Sequence, residues 1–300
     1  MKQTVIVDSS QIVDFCTCPQ YWAYKDHQHL VPLSEKRKPA MDKGTFGHKL
    51  LEIYYGQKAL QTPFAEIDKL LKAVSLPPEL PLSAEDEKFV RDRVDLYLMS
   101  ASQKDDVVAG LRDEKIILID ANGLPYDSTR PVPLVEQGFS YELLNTKEYH
   151  FILEGKIDII GNFKGMRAVT DHKFQERSHD LYERSVQFRN YTLVTDASLM
   201  IINYIRLHAE VKKDTFSRAV VSFNAIEKRV WKEELLEIFI AIARSQARNS
   251  FGKNRASCSG KYGYPCEFTK VCDEPNAAVQ KGMLQNHFKI KPQEERWKPW

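Results

Sequence analysis

Cysteine is scarce in this chain, and so are the long apolar runs that mark membrane proteins. Among 300 residues there are five cysteines, none of them between Cys18 and Cys258. No stretch approaches the roughly 20 apolar residues that a membrane-spanning helix needs. The first residues, MKQTVIVDSS, lack the apolar centre of a secretory signal. These absences argue against a helical membrane bundle and predict a cytoplasmic protein.

Charge of one sign is not in excess either. Lysine and arginine together number 43, and aspartate and glutamate number 41, which gives a formal net charge of +2. Hydrophobic residues make up 43% of the chain and charged residues 28%, close to the average for soluble globular domains. The composition therefore argues against a disordered or fibrous chain. It differs from the strongly basic composition of many nucleic-acid binders, but it is compatible with a local basic surface.

The hydrophobic pattern predicts helices first and strands later. Helix signals cover 8–25, 45–60, 64–74, 84–103, 181–196 and 226–249. Short strands bounded by turn residues cover 115–120, 133–141, 151–160, 166–173, 199–208 and 218–223. Gly161-Asn162 and Gly165 suit a hairpin loop between two of these strands. This order predicts an α/β core wrapped by helices.

The cysteines are grouped at the two ends of the chain. Cys16 and Cys18 lie near the start, and the other three, Cys258, Cys266 and Cys272, lie near the end. A cytoplasmic protein is not expected to hold disulfides. The grouping indicates a site with four cysteine ligands and one spare thiol, with unrelated free thiols as the alternative.

Two acids and a lysine interrupt the apolar strands. Asp158 lies in the segment GKIDII, and Asp171 and Lys173 lie at the end of the next strand, AVTDHK. Because residues i and i+2 of a strand point to the same face, Asp171 and Lys173 should project together. Asp158 can join them if the two strands form a hairpin. Neighbouring carboxylates repel one another unless a cation neutralises them, and Mg²⁺ commonly does so. A polar strand end with a Lys–Asp ion pair is the simpler alternative.

Two helices add to this pattern. The segment GTFGH opens a helix with His48 in its first turn, and Gln187 and Tyr191 share one face of a later helix. In order and approximate spacing, His48, Gly155-x-x-Asp158, Asp171-x-Lys173 and Gln187-x-x-x-Tyr191 resemble the PD-(D/E)XK nucleases of the RecB type. The segment Cys18-Pro19-Gln20-Tyr21-Trp22 resembles the opening of their iron–sulfur subgroup. That subgroup includes the AddB nuclease domain and the CRISPR-associated spacer-processing nucleases.

This resemblance implies a fold and a division of the chain. The fold would be a restriction-endonuclease-like core with a central mixed β-sheet flanked by helices. An N-terminal helical region at 1–110, carrying Cys18 and His48, would precede a nuclease core at 111–250. A C-terminal iron–sulfur segment with a basic tail would cover 251–300. The resemblance also implies a 4Fe–4S cluster that joins the two terminal regions through four ligands, Cys18, Cys258, Cys266 and Cys272.

The resemblance also implies metal-dependent hydrolysis of phosphodiester bonds in DNA. One or two Mg²⁺ or Mn²⁺ ions would be bound by His48, Asp158, Asp171 and the carbonyl oxygen of His172. Lys173 would position the attacking water. Gln187 and Tyr191 would hold the active-site helix against the sheet or contact the DNA backbone. Glu136, in an earlier strand, is either a helper of this site or an ordinary surface residue.

The expected activity is that of an exonuclease on single-stranded DNA or DNA ends, in recombination, repair or phage DNA processing. Basic and aromatic residues suited to single strands are Lys164, Arg167, Phe174, Arg177, Tyr182, Arg184, Phe188, Arg189, Arg206, Lys212 and Lys213. The chain has no G-x-x-x-x-G-K-[ST] loop, so unwinding would need a helicase or another recombination partner. Two alternatives are a non-catalytic DNA-binding subunit with the same fold and an endonuclease in which zinc replaces the cluster.

Overall fold

The chain folds into two compact units in the computed structural model. The residues that the structure describes are 2–33, 39–78, 80–102, 107–110, 117–119, 133–175, 185–208, 210–212, 215–259 and 265–291. One unit, here called the terminal unit, comprises Met1–Lys36, Glu142–Glu154 and Lys232–Pro299. The central unit comprises Arg37–Tyr141 and Gly155–Trp231, together with Trp300. The division into three consecutive regions, inferred from the sequence, stays a prediction.

The described chain contains both helices and strands, in mixed order. The helices are α1 (Ser9–Thr17), α2 (Pro19–Trp22), α3 (Pro39–Ala59), α4 (Phe64–Ala73), α5 (Ala84–Ser102), α6 (Val186–Thr195), α7 (Ala225–Arg248), α8 (Thr269–Asp273) and α9 (Ala277–His287). The strands are β1 (Gln3–Val7), β2 (Leu30–Pro32), β3 (Val107–Ala109), β4 (Ile117–Ile119), β5 (Val135–Asn145), β6 (Tyr149–Phe163), β7 (Met166–Gln175), β8 (Leu199–Arg206), β9 (Phe216–Ser222) and β10 (Phe288–Ile290). None of the helices described is long and apolar enough to cross a membrane.

The helix predicted at 8–25 is broken at Cys18. Helix α1 begins at a capping box, in which the Asp8 side chain accepts from the Gln11 amide and the Gln11 side chain accepts from the Asp8 amide. Cys18 is extended, with φ at −161°, because the ring of Pro19 disfavours helical geometry in the residue before it. Helix α2 and a π-helical turn at Ala23–His27 follow.

A small core holds the two ends of the terminal unit together. Its buried members come from the first and the last segments of the chain and are Tyr24, Leu30, Phe268, Val271 and Phe288. Strands β2 and β10, which carry Leu30 and Phe288 of this core, pair antiparallel. Strand β1 pairs in parallel with the first part of β6, from Gln3 opposite Tyr149 to Val7 opposite Leu153.

A mixed sheet organises the central unit and confirms the expected fold class. Its strands follow the order β4-β5-β6-β7-β8-β9, and β3 also pairs with β6. Strands β6 and β7 form an antiparallel hairpin, β7 and β8 run parallel, and β8 and β9 run antiparallel. The parallel pair needs a crossover connection, and α6 lies in that connection. Helices α3, α4 and α5 bury their apolar sides against the sheet in one continuous core.

The β6–β7 hairpin turns at Gly165, one of the predicted turn residues, but not at Gly161-Asn162. Lys164 and Gly165 have φ of 50° and 79°, as a two-residue hairpin turn requires. Gly161 and Asn162 lie within β6. Gly161 is needed there because a Cβ atom at this position would clash with the carbonyl oxygen of Val108 on β3. A glycine in a strand can therefore mark a close approach of two backbones rather than a turn.

Some predicted features lie outside the described residues. They include the ends of the strand predicted at 115–120, the start of the helix predicted at 181–196 and the tail beyond 291. Four of the basic and aromatic residues proposed to contact DNA, Arg177, Tyr182, Arg184 and Lys213, also lie there.

Candidate active site

Asp158 lies where β6 and β7 part. The antiparallel pairing of the two strands extends from Phe163 opposite Met166 to Ile159 opposite Thr170. One residue further, Oδ2 of Asp158 accepts a hydrogen bond of 2.7 Å from the backbone amide of His172. The carboxylate thus takes the place of a strand partner, which fixes it at the end of the hairpin.

His48 reaches this point because α3 approaches β7 closely. A Cβ atom on Gly47 would lie within 3.0 Å of three ring carbons of Phe174, and one on Gly44 would touch the same side chain. The two glycines therefore let the helix lie against the strand. The imidazole of His48 packs at 5.3 Å from the Phe174 ring, centroid to centroid. Its Nδ1 atom lies 3.4 Å from Oδ2 of Asp158.

Glu136 completes a group of three potential metal ligands. Its Oε1 lies 3.3 Å from Nδ1 of His48, and its Oε2 lies 2.6 Å from Nζ of Lys156. Ligand atoms of His48, Glu136 and Asp158 all lie within 4.8 Å of one another, and within the described chain they form the only such group of three. One imidazole and two carboxylates are a donor set that suits Mg²⁺ or Mn²⁺.

The backbone at Glu136 is unusual. Its φ is +53°, a left-handed conformation that costs a non-glycine residue about 1–3 kcal/mol. The side chain of Gln137 stabilises this bend, since its Nε2 donates to the carbonyl oxygens of Pro133 and Val135. The sequence left Glu136 undecided between helper and surface residue. A left-handed glutamate leaves no mark in a sequence pattern, and the structure places its side chain in the ligand group.

Lys173 and Asp171 project together, as their spacing predicts. Nζ of Lys173 lies 2.8 Å from Oδ2 of Asp171 and also donates to Oε1 of Gln187 at 3.2 Å. Gln187 in turn donates to the hydroxyl of Tyr191 at 2.6 Å, and this hydroxyl donates to the carbonyl oxygen of Lys156. The chain of bonds ties α6 to the strands that carry the acids, which is one of the two arrangements expected for Gln187 and Tyr191.

The charges of the site shift its pKa values in opposite directions. Burial alone would lower the pKa of His48, but Asp158 and Glu136 outweigh it and raise this pKa to about 9. Burial alone would raise the pKa of Asp158, but His48 and the other positive groups hold it well below its usual range. Burial, opposed by Lys173 and reinforced by Asp158, raises the pKa of Asp171 to about 6. The two aspartates therefore differ in pKa, and Asp158 stays ionised to a lower pH than Asp171 does.

The structure places Asp171 differently from the other predicted metal ligands. Its carboxylate is paired with Lys173, and it is absent from the group formed by His48, Glu136 and Asp158. Metal binding by Asp171 and by the carbonyl oxygen of His172 stays a prediction.

All four predicted cluster ligands belong to the terminal unit. The amide of Asn254 donates to Sγ of Cys18 at 3.4 Å, and the amide of Cys266 donates to the carbonyl oxygen of Cys258 at 3.1 Å. Burial raises the pKa of Cys272 to about 11, and the neighbouring thiols add to this effect. All five cysteines are free, and no three of them bring their sulfur atoms within 4.8 Å of one another. The geometry thus shows neighbouring thiols but no assembled ligand set.

The side chains proposed to contact DNA also have structural contacts. Phe188 is fully buried, so the prediction that it stacks on bases is wrong; its ring lies beneath Nζ of Lys173 at 5.4 Å. The Phe174 ring packs beside His48. Arg189 lies over the Trp231 ring, and Nε of Arg167 donates to the carbonyl oxygen of Thr195.

Comparison with known proteins identifies the family. Residues 9–273 match the PD-(D/E)XK nuclease superfamily, and the chain belongs to it. No curated protein matches the chain significantly. Among solved structures, the chain is similar to a protein of Eubacterium rectale provisionally named an exonuclease, with 11% identity, a TM-score of 0.44 and coverage of 91% of both chains. It is also similar to the protein SSO0001, with 13% identity, a TM-score of 0.37 and coverage of 91% of this chain and 88% of that one.

Proposed function

We propose that this chain is a metal-dependent deoxyribonuclease that acts as an exonuclease on single-stranded DNA or DNA ends. The observation that carries the proposal is the convergence of His48, Glu136 and Asp158 on one point, beside a lysine held by an acid and an amide. The superfamily membership supports the same chemistry.

The donor set fits a hard divalent cation. His48, Glu136 and Asp158 would hold Mg²⁺ or Mn²⁺, which supplies positive charge for the phosphate oxygens. The His48 proton must leave before its Nδ1 can act as a ligand. Lys156, which lies against Glu136, fixes that carboxylate from the other side.

Lys173 is the side chain suited to position the attacking water. Asp171 and Gln187 both hold its ammonium, so Lys173 enters the reaction already oriented. In hydrolysis, the water oxygen forms a new bond to phosphorus, and the bond from phosphorus to the leaving oxygen breaks. One water proton ends on the leaving oxygen, and the other is released as the new phosphate monoester ionises. A fixed ammonium stabilises the negative charge that develops in this step.

The activity is tested with purified protein and DNA labelled at either end. Single-stranded and duplex substrates are incubated with Mg²⁺, with Mn²⁺ or with EDTA. We expect metal-dependent release of mononucleotides or short products from an end of the single strand. Binding of DNA without cleavage in every metal would favour the non-catalytic subunit. Cleavage of circular single strands would show endonuclease action instead.

We also propose that Cys18, Cys258, Cys266 and Cys272 bind a 4Fe–4S cluster, which would place the chain in the iron–sulfur subgroup of the RecB-type nucleases. Support comes from their presence in one unit. Further support is that the thiols lie near enough to raise one another's pKa, as the other three do for Cys272. Structural zinc sites usually contain paired cysteines separated by two to four residues, and no gap among these four cysteines has that length.

Anaerobic purification followed by iron, sulfide and zinc analysis tests the cluster. We expect a brown protein with about four irons per chain, and Cys18→Ser is expected to lose them. A colourless protein with one zinc would support the zinc alternative. The control is Cys16→Ser, because Cys16 is the spare thiol in this proposal.

A role in recombination, repair or phage DNA processing, with a helicase as partner, belongs to the same proposal. Its support is the absence of a phosphate-binding loop from the sequence, which leaves unwinding to another protein.

A further inference from the structure

A row of three polar side chains crosses the sheet beside the active site. In the register of β7, β8 and β9, His172 lies opposite Asn203, and Asn203 lies opposite Arg218. Directly paired residues share one face of a sheet. His172 and Asn203 are each only 1% exposed, so their hydrogen bonds are made inside the protein.

The direction of the hydrogen bonds in this row is fixed by Arg218. A guanidinium only donates, and Nε of Arg218 lies 2.6 Å from Oδ1 of Asn203. The amide nitrogen of Asn203 then faces Nε2 of His172 at 3.3 Å. Because an amide nitrogen only donates, Nε2 of His172 must accept. A neutral imidazole that accepts at Nε2 carries its proton on Nδ1.

The protonated nitrogen faces Asp158. Nδ1 of His172 lies 3.8 Å from Oδ2 of Asp158, the oxygen that already accepts the backbone amide of His172 at 2.7 Å. The backbone amide of His172 therefore restrains this carboxylate oxygen by a hydrogen bond, and the imidazole of the same residue faces it across a longer electrostatic contact. The rings of Tyr55 and Tyr97 pack on the imidazole at 5.3 Å and 5.9 Å and limit its rotation.

We propose that Arg218, acting through Asn203, fixes His172 as its Nδ1–H tautomer, and that His172 is thereby a positioning residue for Asp158. The tautomer follows from the hydrogen bonds among Arg218, Asn203 and His172 alone. Only the consequence for the metal rests on the proposed function. Partners of this kind orient ligands, and their loss typically lowers metal affinity about 10–100-fold.

The tautomer is measured by NMR on metal-free protein labelled with ¹⁵N-histidine, at neutral pH. A long-range ¹H–¹⁵N spectrum distinguishes protonated from unprotonated ring nitrogens, and His172→Asn assigns the signals by their disappearance. We expect a protonated Nδ1 and an unprotonated Nε2. In Asn203→Asp a carboxylate faces Nε2, so the proton is expected on Nε2. A protonated Nε2 in the wild-type protein would overturn the proposal.

The positioning role is tested by measuring Mn²⁺ affinity. Binding is monitored by the electron paramagnetic resonance signal of the free ion. His172→Ala is expected to bind Mn²⁺ about 10–100-fold more weakly. His172→Asn should retain most of the affinity, because its side-chain amide nitrogen takes the place of Nδ1. The matched control is Asn276→Asp, which keeps the cap of α9 and should bind as wild type.

The two results separate this inference from the proposed function. If His172→Ala binds Mn²⁺ as tightly as wild type, or if His172→Asn binds as weakly as His172→Ala, the positioning role is refuted. If wild-type protein binds no Mn²⁺, the proposed metal-dependent function fails, and the spectrum still decides the tautomer.

Discussion

The Nδ1 atom of His48 lies 3.4 Å from Oδ2 of Asp158, a contact between a helix and the end of a strand hairpin. Because Glu136 contacts the same nitrogen, the imidazole keeps its proton up to a pH of about 9. In metal-free protein, a protonated histidine therefore supplies the positive charge that two carboxylates require. A metal ion must displace that proton, which links metal binding to pH.

Binding of Mn²⁺ should release a proton. At pH 7.5 we expect release of about one proton per ion bound, because His48 is protonated before binding and neutral after it. Calorimetric titrations in two buffers with different ionisation enthalpies give this number. His48→Gln is the comparison and should release almost none. Equal binding heats in the two buffers for wild-type protein would contradict the role of His48 as a ligand.

Metal-free protein should lose stability as the pH rises. The pKa of His48 is about 9 in the folded protein and 6.5 without its neighbours, so its stabilising effect is complete below pH 6.5 and is lost as the pH rises through 9. Because solvent screens a side chain that is 28% exposed, we expect the free energy of unfolding to fall by only about 1–3 kcal/mol. Asp171, with a pKa of about 6, is already ionised at pH 7.

Urea denaturation in EDTA at pH 7 and pH 9.5 measures this loss. His48→Gln should reduce the difference between the two pH values, since the titrating group is gone. A wild-type free energy of unfolding that is the same at both values would show that the imidazole is not held by the two carboxylates.

Gly47→Ala should destabilise the protein and weaken Mn²⁺ binding. The added Cβ would overlap the Phe174 ring, so α3 or the ring must shift, at a cost of about 1–3 kcal/mol, and His48 would move with the helix. Gly56→Ala is the matched control on the same helix, where an added Cβ meets nothing within 4 Å. Because alanine is the better helix former, Gly56→Ala should stabilise by about 0.5–1 kcal/mol. Equal effects of the two substitutions, measured by thermal unfolding and Mn²⁺ titration, would contradict this account of α3.

The sequence predicts local features of this molecule better than long-range ones. The period of two places Asp171 and Lys173 on one face, and the structure agrees. The order of helices and strands predicts the fold class. The break at Cys18 follows from Pro19, yet a helical pattern on both sides of it conceals the break.

Features that depend on pairing between distant strands could not be predicted. In the sequence, Gly161 has the appearance of a turn residue. The structure shows that it lies within a strand, where the backbone of β3 leaves no room for a side chain. The contact of His172 with Asn203 depends on the exact register of two parallel strands, which the sequence does not specify. The left-handed backbone of Glu136 depends on the bonds made by Gln137. In each case the decisive partner lies outside the local pattern.

The most direct test of the central claim is cleavage of end-labelled single-stranded DNA under single-turnover conditions, with saturating Mn²⁺. Lys173→Ala removes the oriented ammonium and should slow cleavage about 10²–10⁴-fold, with DNA and Mn²⁺ binding close to wild type. Lys69→Ala, an exposed lysine on α4, should cleave at the wild-type rate. Equal cleavage by Lys173→Ala and wild type, or cleavage that persists in EDTA, would contradict the assignment of this site to metal-dependent hydrolysis.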